Sequence, residues 1–164
     1  DEKGEFLFEE TKLKVNALCT LGLNRKLYLD KKTIVLSDKE MLDQKEKRTN
    51  FTILDSDDLI FSMNLSRIVC DNLIRSDFTT DDLFTTLGFS KSQANRKIKS
   101  LTGMAPNQLI QESRLLHAVI TIIQTNKTIA EIAYESGFNS PSYFTRVFKK
   151  RFGMLPTDFS KQLV

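Results

Sequence analysis

The sequence predicts an all-α fold, two helix-turn-helix units joined by a long central helix, behind a poorly defined N-terminal segment. Three observations carry that expectation. From Asp57 onward apolar residues recur at helical spacing between recognisable start and stop signals. A pattern of short helix, glycine turn and second helix occurs twice. The basic charge is concentrated in the half of the chain that holds the repeat.

Residues 1–56 offer the weakest pattern. Glu9 to Leu23 spaces Leu13, Leu18 and Leu21 loosely, as an amphipathic helix does, and Leu27 to Leu36 alternates like a short strand or an extended linker. Lys39 to Asn50 is crowded with charges and lacks apolar periodicity, so it reads as a solvated connector. Asp57 to Ile74 then carries Leu59, Ile60, Met63, Leu65, Ile68, Val69 and Leu73 at helical spacing, and should bury one face. Thr79 and Asp82 form a capping pair that opens a short helix ending before Gly88. Ser90 caps a helix running to about Thr102, Gly103 stops it, and Pro106 opens a long helix reaching about Gln124. The same grammar returns. Thr128 and Glu131 make a capping box, Gly137 ends the short helix, Ser140 with Pro141 starts the next, Gly153 closes it, and Pro156 begins a last short helix.

The repeat is visible residue by residue. At a spacing of fifty, Ser90 matches Ser140, Ser92 matches Ser142, Arg96 matches Arg146 and Lys99 matches Lys149. Gly103, Met104 and Pro106 likewise match Gly153, Met154 and Pro156, while Gly88-Phe89 and Gly137-Phe138 match one residue closer, with an insertion near Asn139. Gly88 and Gly137 suit a left-handed turn position, where a side chain is strained. In the second helix of each unit Ala94, Ile98 and Leu101, or Phe144 and Phe148, should face inward. The opposite faces carry Ser92, Asn95, Arg96 and Lys99, then Ser142, Thr145, Arg146 and Lys149. With Lys91 and Ser140 at the helix starts, these are the candidate DNA-binding residues. Arginine can hold guanine O6 and N7 through two parallel hydrogen bonds, asparagine can do the same for adenine, and lysines suit phosphates. The helix from Pro106 to Gln124 would span about 28 Å, against about 34 Å between successive major-groove faces. One chain can therefore offer two groove contacts.

Charge and composition narrow the function. From Phe78 onward there are eleven Lys and Arg against six Asp and Glu, while the first 77 residues have thirteen against fifteen. That asymmetry permits nucleic-acid binding. Cys19, Cys70 and His117 are too few for an ordinary zinc site, and nothing beside either cysteine would activate it, so no metal, cofactor or catalytic residue is expected. Both cysteines are read as reduced thiols, Cys70 packing along a helix, and His117 as a helix-surface residue. No apolar run approaches a membrane span and no signal peptide is evident. The segment is expected to be cytoplasmic and to make no membrane contact. It starts at Asp1 rather than at a methionine, as a piece of a longer polypeptide would. The competing class is a helical protein-interaction module without DNA binding.

The second unit resembles the C-terminal domain of the AraC/XylS family of transcription activators. The residues that carry the likeness are Ala133, Gly137, Phe138, Tyr143, Phe144, Phe148, Lys149, Phe152, Gly153 and Pro156, with Ser140 or Ser142 as the motif serine. The resemblance implies a homeodomain-like, AraC-type domain of seven helices over about residues 57–164. It implies two recognition helices in adjacent major grooves, the base-facing role falling to Ser92, Asn95, Arg96, Ser142, Thr145 and Arg146. It also implies a promoter operator as double-stranded DNA partner, RNA polymerase as a second partner, and a homodimer formed through upstream domains. The first unit departs from the family pattern: Ala94 and Ile98 stand where Leu and Phe are usual, and Phe84 replaces a small alanine, so Phe84 should fill the volume that Ala94 gives up. Ser90 to Asn107, with Ser76-Asp77-Phe78 upstream, further resembles the regulators of hybrid two-component systems. On that likeness residues 1–56 would be the tail of a receiver domain and its connector.

Overall fold

The computed structural model describes residues 27–30 and 51–162. Two short strands, β1 (Leu27–Asp30) and β2 (Phe51–Leu54), pair in parallel with Leu27 opposite Phe51 and Asp30 opposite Leu54. β1 falls inside the stretch whose alternation pointed to a strand. β2 was not expected: Phe-Thr-Ile-Leu has β-forming residues, but four positions are too few to separate a strand from a connector by period. The helix expected over Glu9 to Leu23 and the connector over Lys39 to Asn50 lie outside the described residues.

Seven helices follow among the described residues: α1 (Ser56–Asp71), α2 (Thr80–Leu87), α3 (Lys91–Thr102), α4 (Pro106–Gln124), α5 (Ile129–Glu135), α6 (Pro141–Phe152) and α7 (Pro156–Lys161). Apart from the strand pair the architecture is the all-α one expected. α1 is shorter than its apolar spacing implied. It ends at Asp71, and the chain turns through Leu73 N–H to Cys70 O (3.3 Å) and Arg75 N–H to Asn72 O (3.1 Å). Its buried stripe is Phe61, Leu65 and Ile68, one helical face, with Val69 beside it. Ile60 is consequently turned outward and 57% exposed, and Ile74 lies beyond the helix. Cys70, expected to pack along the helix, is on its exposed side.

The chain divides into two compact units. The first takes in the strands, α1 as far as Ile68, and Phe84–Ala105. It buries Leu54, Phe61, Leu65, Ile68, Phe84, Ala94, Ile98 and Leu101. Phe61 meets Phe89 edge to face at 5.4 Å, and Lys97 lies 5.1 Å over the Phe61 ring while its Nζ reaches Asp58 Oδ1 at 2.9 Å. Those contacts join α3 to α1.

The second unit takes in Val69–Leu83 and the chain from Pro106. Its core is Leu115, Ala118, Ile122, Ile132, Ala133, Phe138, Phe144, Val147 and Phe148, with Val119, Ile129, Phe152 and Phe159 packed against it. Phe148 stands at the centre of a ring cluster, 5.5 Å from Phe144, 4.5 Å from Phe152 and 5.8 Å from Phe159. Arg114 on α4 secures the segment after α1, its Nε donating to Leu73 O (3.1 Å) and its Nη2 to Arg75 O (2.5 Å). Burial lowers its pKa and the charge of Asp77 opposes the shift. His117, expected at the surface, is half-buried with Nδ1 3.3 Å from Ser136 Oγ, because the partner hydroxyl on the α5 side is itself fully buried.

Candidate nucleic-acid interface

The two glycine turns are built alike. In the first, Gly88 N–H donates to Thr85 O (3.1 Å) and Phe89 N–H to Phe84 O (3.3 Å). In the second, Gly137 N–H donates to Tyr134 O (2.9 Å) and Phe138 N–H to Ala133 O (3.0 Å). Both glycines are left-handed, at φ 72° and 78°. The short helices before them open on matching boxes, Thr79 with Asp82 and Thr128 with Glu131, in which hydroxyl and carboxylate satisfy each other's backbone N–H. The hydrogen bonds accepted from Thr79 and Thr128 hold the Asp82 and Glu131 carboxyls below their ordinary range. Every start and stop signal anticipated from Thr79 to Pro156 is in use.

After each turn the second helix separates its faces as its sequence requires. Ala94, Ile98 and Leu101 are buried in the first unit, and Phe144, Val147 and Phe148 in the second. Of the ten candidate residues, Lys91, Ser92, Arg96, Lys99, Ser142, Arg146 and Lys149 are exposed, while Asn95, Ser140 and Thr145 are half-buried. On α3 Ser92, Arg96 and Lys99 lie on the side away from the buried stripe with Lys91 and Asn95 at its border, and on α6 Ser142, Thr145, Arg146 and Lys149 lie away from theirs. Asn95 and Ser140 are engaged by hydrogen bonds to backbone groups of their own helices. Asn95 Nδ2 donates to Lys91 O (2.9 Å), which leaves its second N–H and its Oδ1 to meet a base. Ser140 caps α6 by accepting from Tyr143 N–H (3.3 Å) and keeps its hydroxyl proton to donate.

The largest local difference lies three residues into each helix. On α3 that residue is Gln93, whose Oε1 turns back to accept from Ser90 Oγ (2.7 Å) and completes a capping box. On α6 it is Tyr143, whose hydroxyl donates to Gln111 Oε1 on α4 (2.8 Å) and whose ring lies under the Arg146 guanidinium at 5.2 Å. Farther along α6 the exposed Arg151 pairs through Nε with the buried Glu112 of α4. Lys97, Gln111, Glu112 and Arg151 were not singled out from the sequence. Tyr143 was named only within the family motif, although its place one turn before Arg146 brings the two side chains together on any helix. The Arg151–Glu112 pair joins residues 39 apart and leaves no local signal.

A pair of capped helices around a left-handed glycine, repeated, with a buried stripe opposite a polar basic face, defines a DNA-binding helix-turn-helix protein. Residues 83–162 match the family described as "Helix-turn-helix domain". A transcriptional regulator with an AraC-type DNA-binding domain from Chromobacterium violaceum superimposes with a TM-score of 0.58 at 27% identity, over 62% of this chain and 89% of that one. The DNA-binding domain of the global transcriptional factor AdpA, solved with a target DNA, gives 0.57 at 25% identity over 60% and 91%. "Histidine kinase P4" of Formosa agariphila is 37% identical over 97 residues, 58% of this chain but 7% of that protein. The chain spans 7 to 54% of the length of curated relatives that it matches. Residues 83–162 are an AraC-type helix-turn-helix domain, the DNA-binding domain of AraC/XylS transcription regulators.

Proposed function

We propose that α3 and α6 read two major-groove segments of one operator, and that the chain is the output domain of a larger signalling protein. The observation that carries the reading is the recurrence of an exposed arginine, Arg96 and Arg146, at the same step of two helices whose opposite faces are buried. In it Arg96 and Arg146 contact base edges, assisted by Ser92, Asn95, Ser142 and Thr145. Lys91, Lys99, Ser140 and Lys149 contact phosphates. The DNA-binding domain begins near residue 57, and the strands belong to what joins it to upstream domains such as a receiver. A relative named as a histidine kinase, of which this chain matches 7%, supports a place within a longer signalling polypeptide. Among the described residues no helix is long and apolar enough to cross a membrane, which agrees with action in the cytoplasm. RNA polymerase contact and dimerisation through upstream domains complete the regulator, and no catalytic step is assigned to this segment.

Selection of bound sequences from random DNA supplies the site for the test. Arg96→Ala and Arg146→Ala should each weaken specific binding by about 1–3 kcal/mol and relax preference at one position each. Circular dichroism of the free variants should match wild type. Binding to the selected site should also fall steeply with salt, as neutralised phosphates require. Unchanged affinity and preference in both variants would overturn the assignment of the readers, and no retention on DNA at low salt would favour a protein-interaction module.

A further inference from the structure

We propose that Tyr143 is the positioning residue for Arg146, holding its guanidinium in a fixed direction so that the second helix-turn-helix discriminates bases more sharply than the first. The inference rests on Arg146 being a base reader, and adds what sets its aim. Tyr143 is tethered at both ends: its hydroxyl is bound to Gln111 Oε1 at 2.8 Å, and its ring sits beside Phe138 at 6.3 Å between centroids. A ring so held is a stationary platform. Arg146, one helical turn on, lies over it at 5.2 Å, where the negative face of the ring attracts the cation. A long side chain with many rotamers is thereby narrowed before DNA arrives, and less ordering remains to be done on binding.

The first unit lacks the device. Its equivalent residue, Gln93, is consumed by the cap on Ser90, and among the described residues the cations over rings are Lys97, Arg146 and Arg151, not Arg96. Arg96 must therefore be ordered by the DNA itself. Tyr143 at 42% exposure is no core residue, so its replacement tests the platform rather than the fold.

The test uses the 164-residue chain, the selected operator, and operators altered at the base pair whose preference Arg146→Ala abolishes. Tyr143→Gln gives α6 the residue that caps α3, and should lower discrimination at that base pair about 3- to 10-fold, the scale of a cation–ring contact, while preference at the Arg96 position stays as in wild type. Tyr143→Phe keeps the ring and should keep most of the discrimination. In the Arg146→Ala background Tyr143→Gln should not weaken binding to the selected operator further, since the two act as one element. A Tyr143→Gln variant that binds all sequences more weakly in equal proportion, or that loses as much affinity for the selected operator when Arg146 is absent, would overturn the positioning role. If Arg146→Ala itself discriminates at every base pair like wild type, the reading of Arg146 falls first, and the two failures are told apart.

Discussion

The two helix-turn-helix units share a backbone and differ in what fills it. N-cap residues, glycine turns and turn hydrogen bonds correspond one for one, yet the buried face of α3 carries Ala94 and Ile98 where that of α6 carries Phe144 and Phe148. The bulk has moved to a neighbouring helix in the first unit. Phe84 is buried on α2 where α5 has the buried Ala133, so the large residue faces from one side of the turn in the first unit and from the other side in the second. The anchors differ as well. α3 is held to α1 through Lys97, Asp58 and Phe61, whereas α6 is held to α4 through Tyr143 with Gln111 and Arg151 with Glu112. Local capping and turn chemistry therefore specify the motif, and its core is free to be repacked provided that volume is conserved.

Exchanging residues between the units probes that statement most severely. Phe144→Ala removes a fully buried ring and should cost about 3–5 kcal/mol in urea unfolding. The reverse exchange, Ala94→Phe, should cost about 1–3 kcal/mol by overpacking. Adding Phe84→Ala to Ala94→Phe copies the arrangement of the second unit and should recover part of the loss. A double variant as unstable as the sum of its single changes would break the idea of exchanged volume.

The turn glycines sharpen the comparison at the next level. Gly88→Ala meets only the left-handed backbone, since an added Cβ would have nothing within 4 Å, and should cost about 1–2 kcal/mol. At Gly137 the same methyl would stand 2.3 Å from Leu73 O and 2.8 Å from Arg114 Nε, the bond that secures the segment after α1. The backbone carbonyl cannot move aside cheaply, so Gly137→Ala should exceed Gly88→Ala by about 1–3 kcal/mol. Equal costs in paired melts would mean that the Arg114 contact contributes nothing to the turn.

How much of this was legible in the sequence follows from the range of the interactions. Thr79, Ser90, Thr128, Ser140 and the glycines act within four residues, so their roles and the helices they bound could be read directly, as could the inward faces of α3 and α6. The Ala94 and Phe84 departures were also readable, because the family pattern that the second unit resembles supplies the comparison. The end of α1 was not, since Leu73 and Ile74 continue the apolar count past the point where turn hydrogen bonds take over. β2 was missed because a parallel partner twenty-four residues away in register leaves no trace in four residues. Within the candidate interface the polar faces were legible and their supports were not: Glu112 reads as an ordinary charged helix residue until Arg151 is brought to it by the fold.

The capping boxes distinguish what the units share from what they do not, through the smallest of the expected effects. The short helices α2 and α5 both depend on a carboxylate, Asp82 and Glu131, whose pKa is lowered in the folded chain by the hydrogen bonds from Thr79 and Thr128. A lowered pKa means that the folded state binds the proton less readily than the unfolded state. The stabilisation is therefore complete above the ordinary carboxylate range and disappears as pH falls through the lowered values. The box on α3 uses the uncharged Gln93 and has no such dependence. Glu131→Gln gives α5 the side-chain type that already serves on α3, and should preserve the cap at neutral pH while flattening the acid slope of Tm. Asp82→Asn should flatten it in the same way at α2. If Tm of both variants falls between pH 6 and pH 3 as steeply as that of wild type, the acid dependence arises elsewhere, and neither short helix owes stability to the charge of its capping carboxylate.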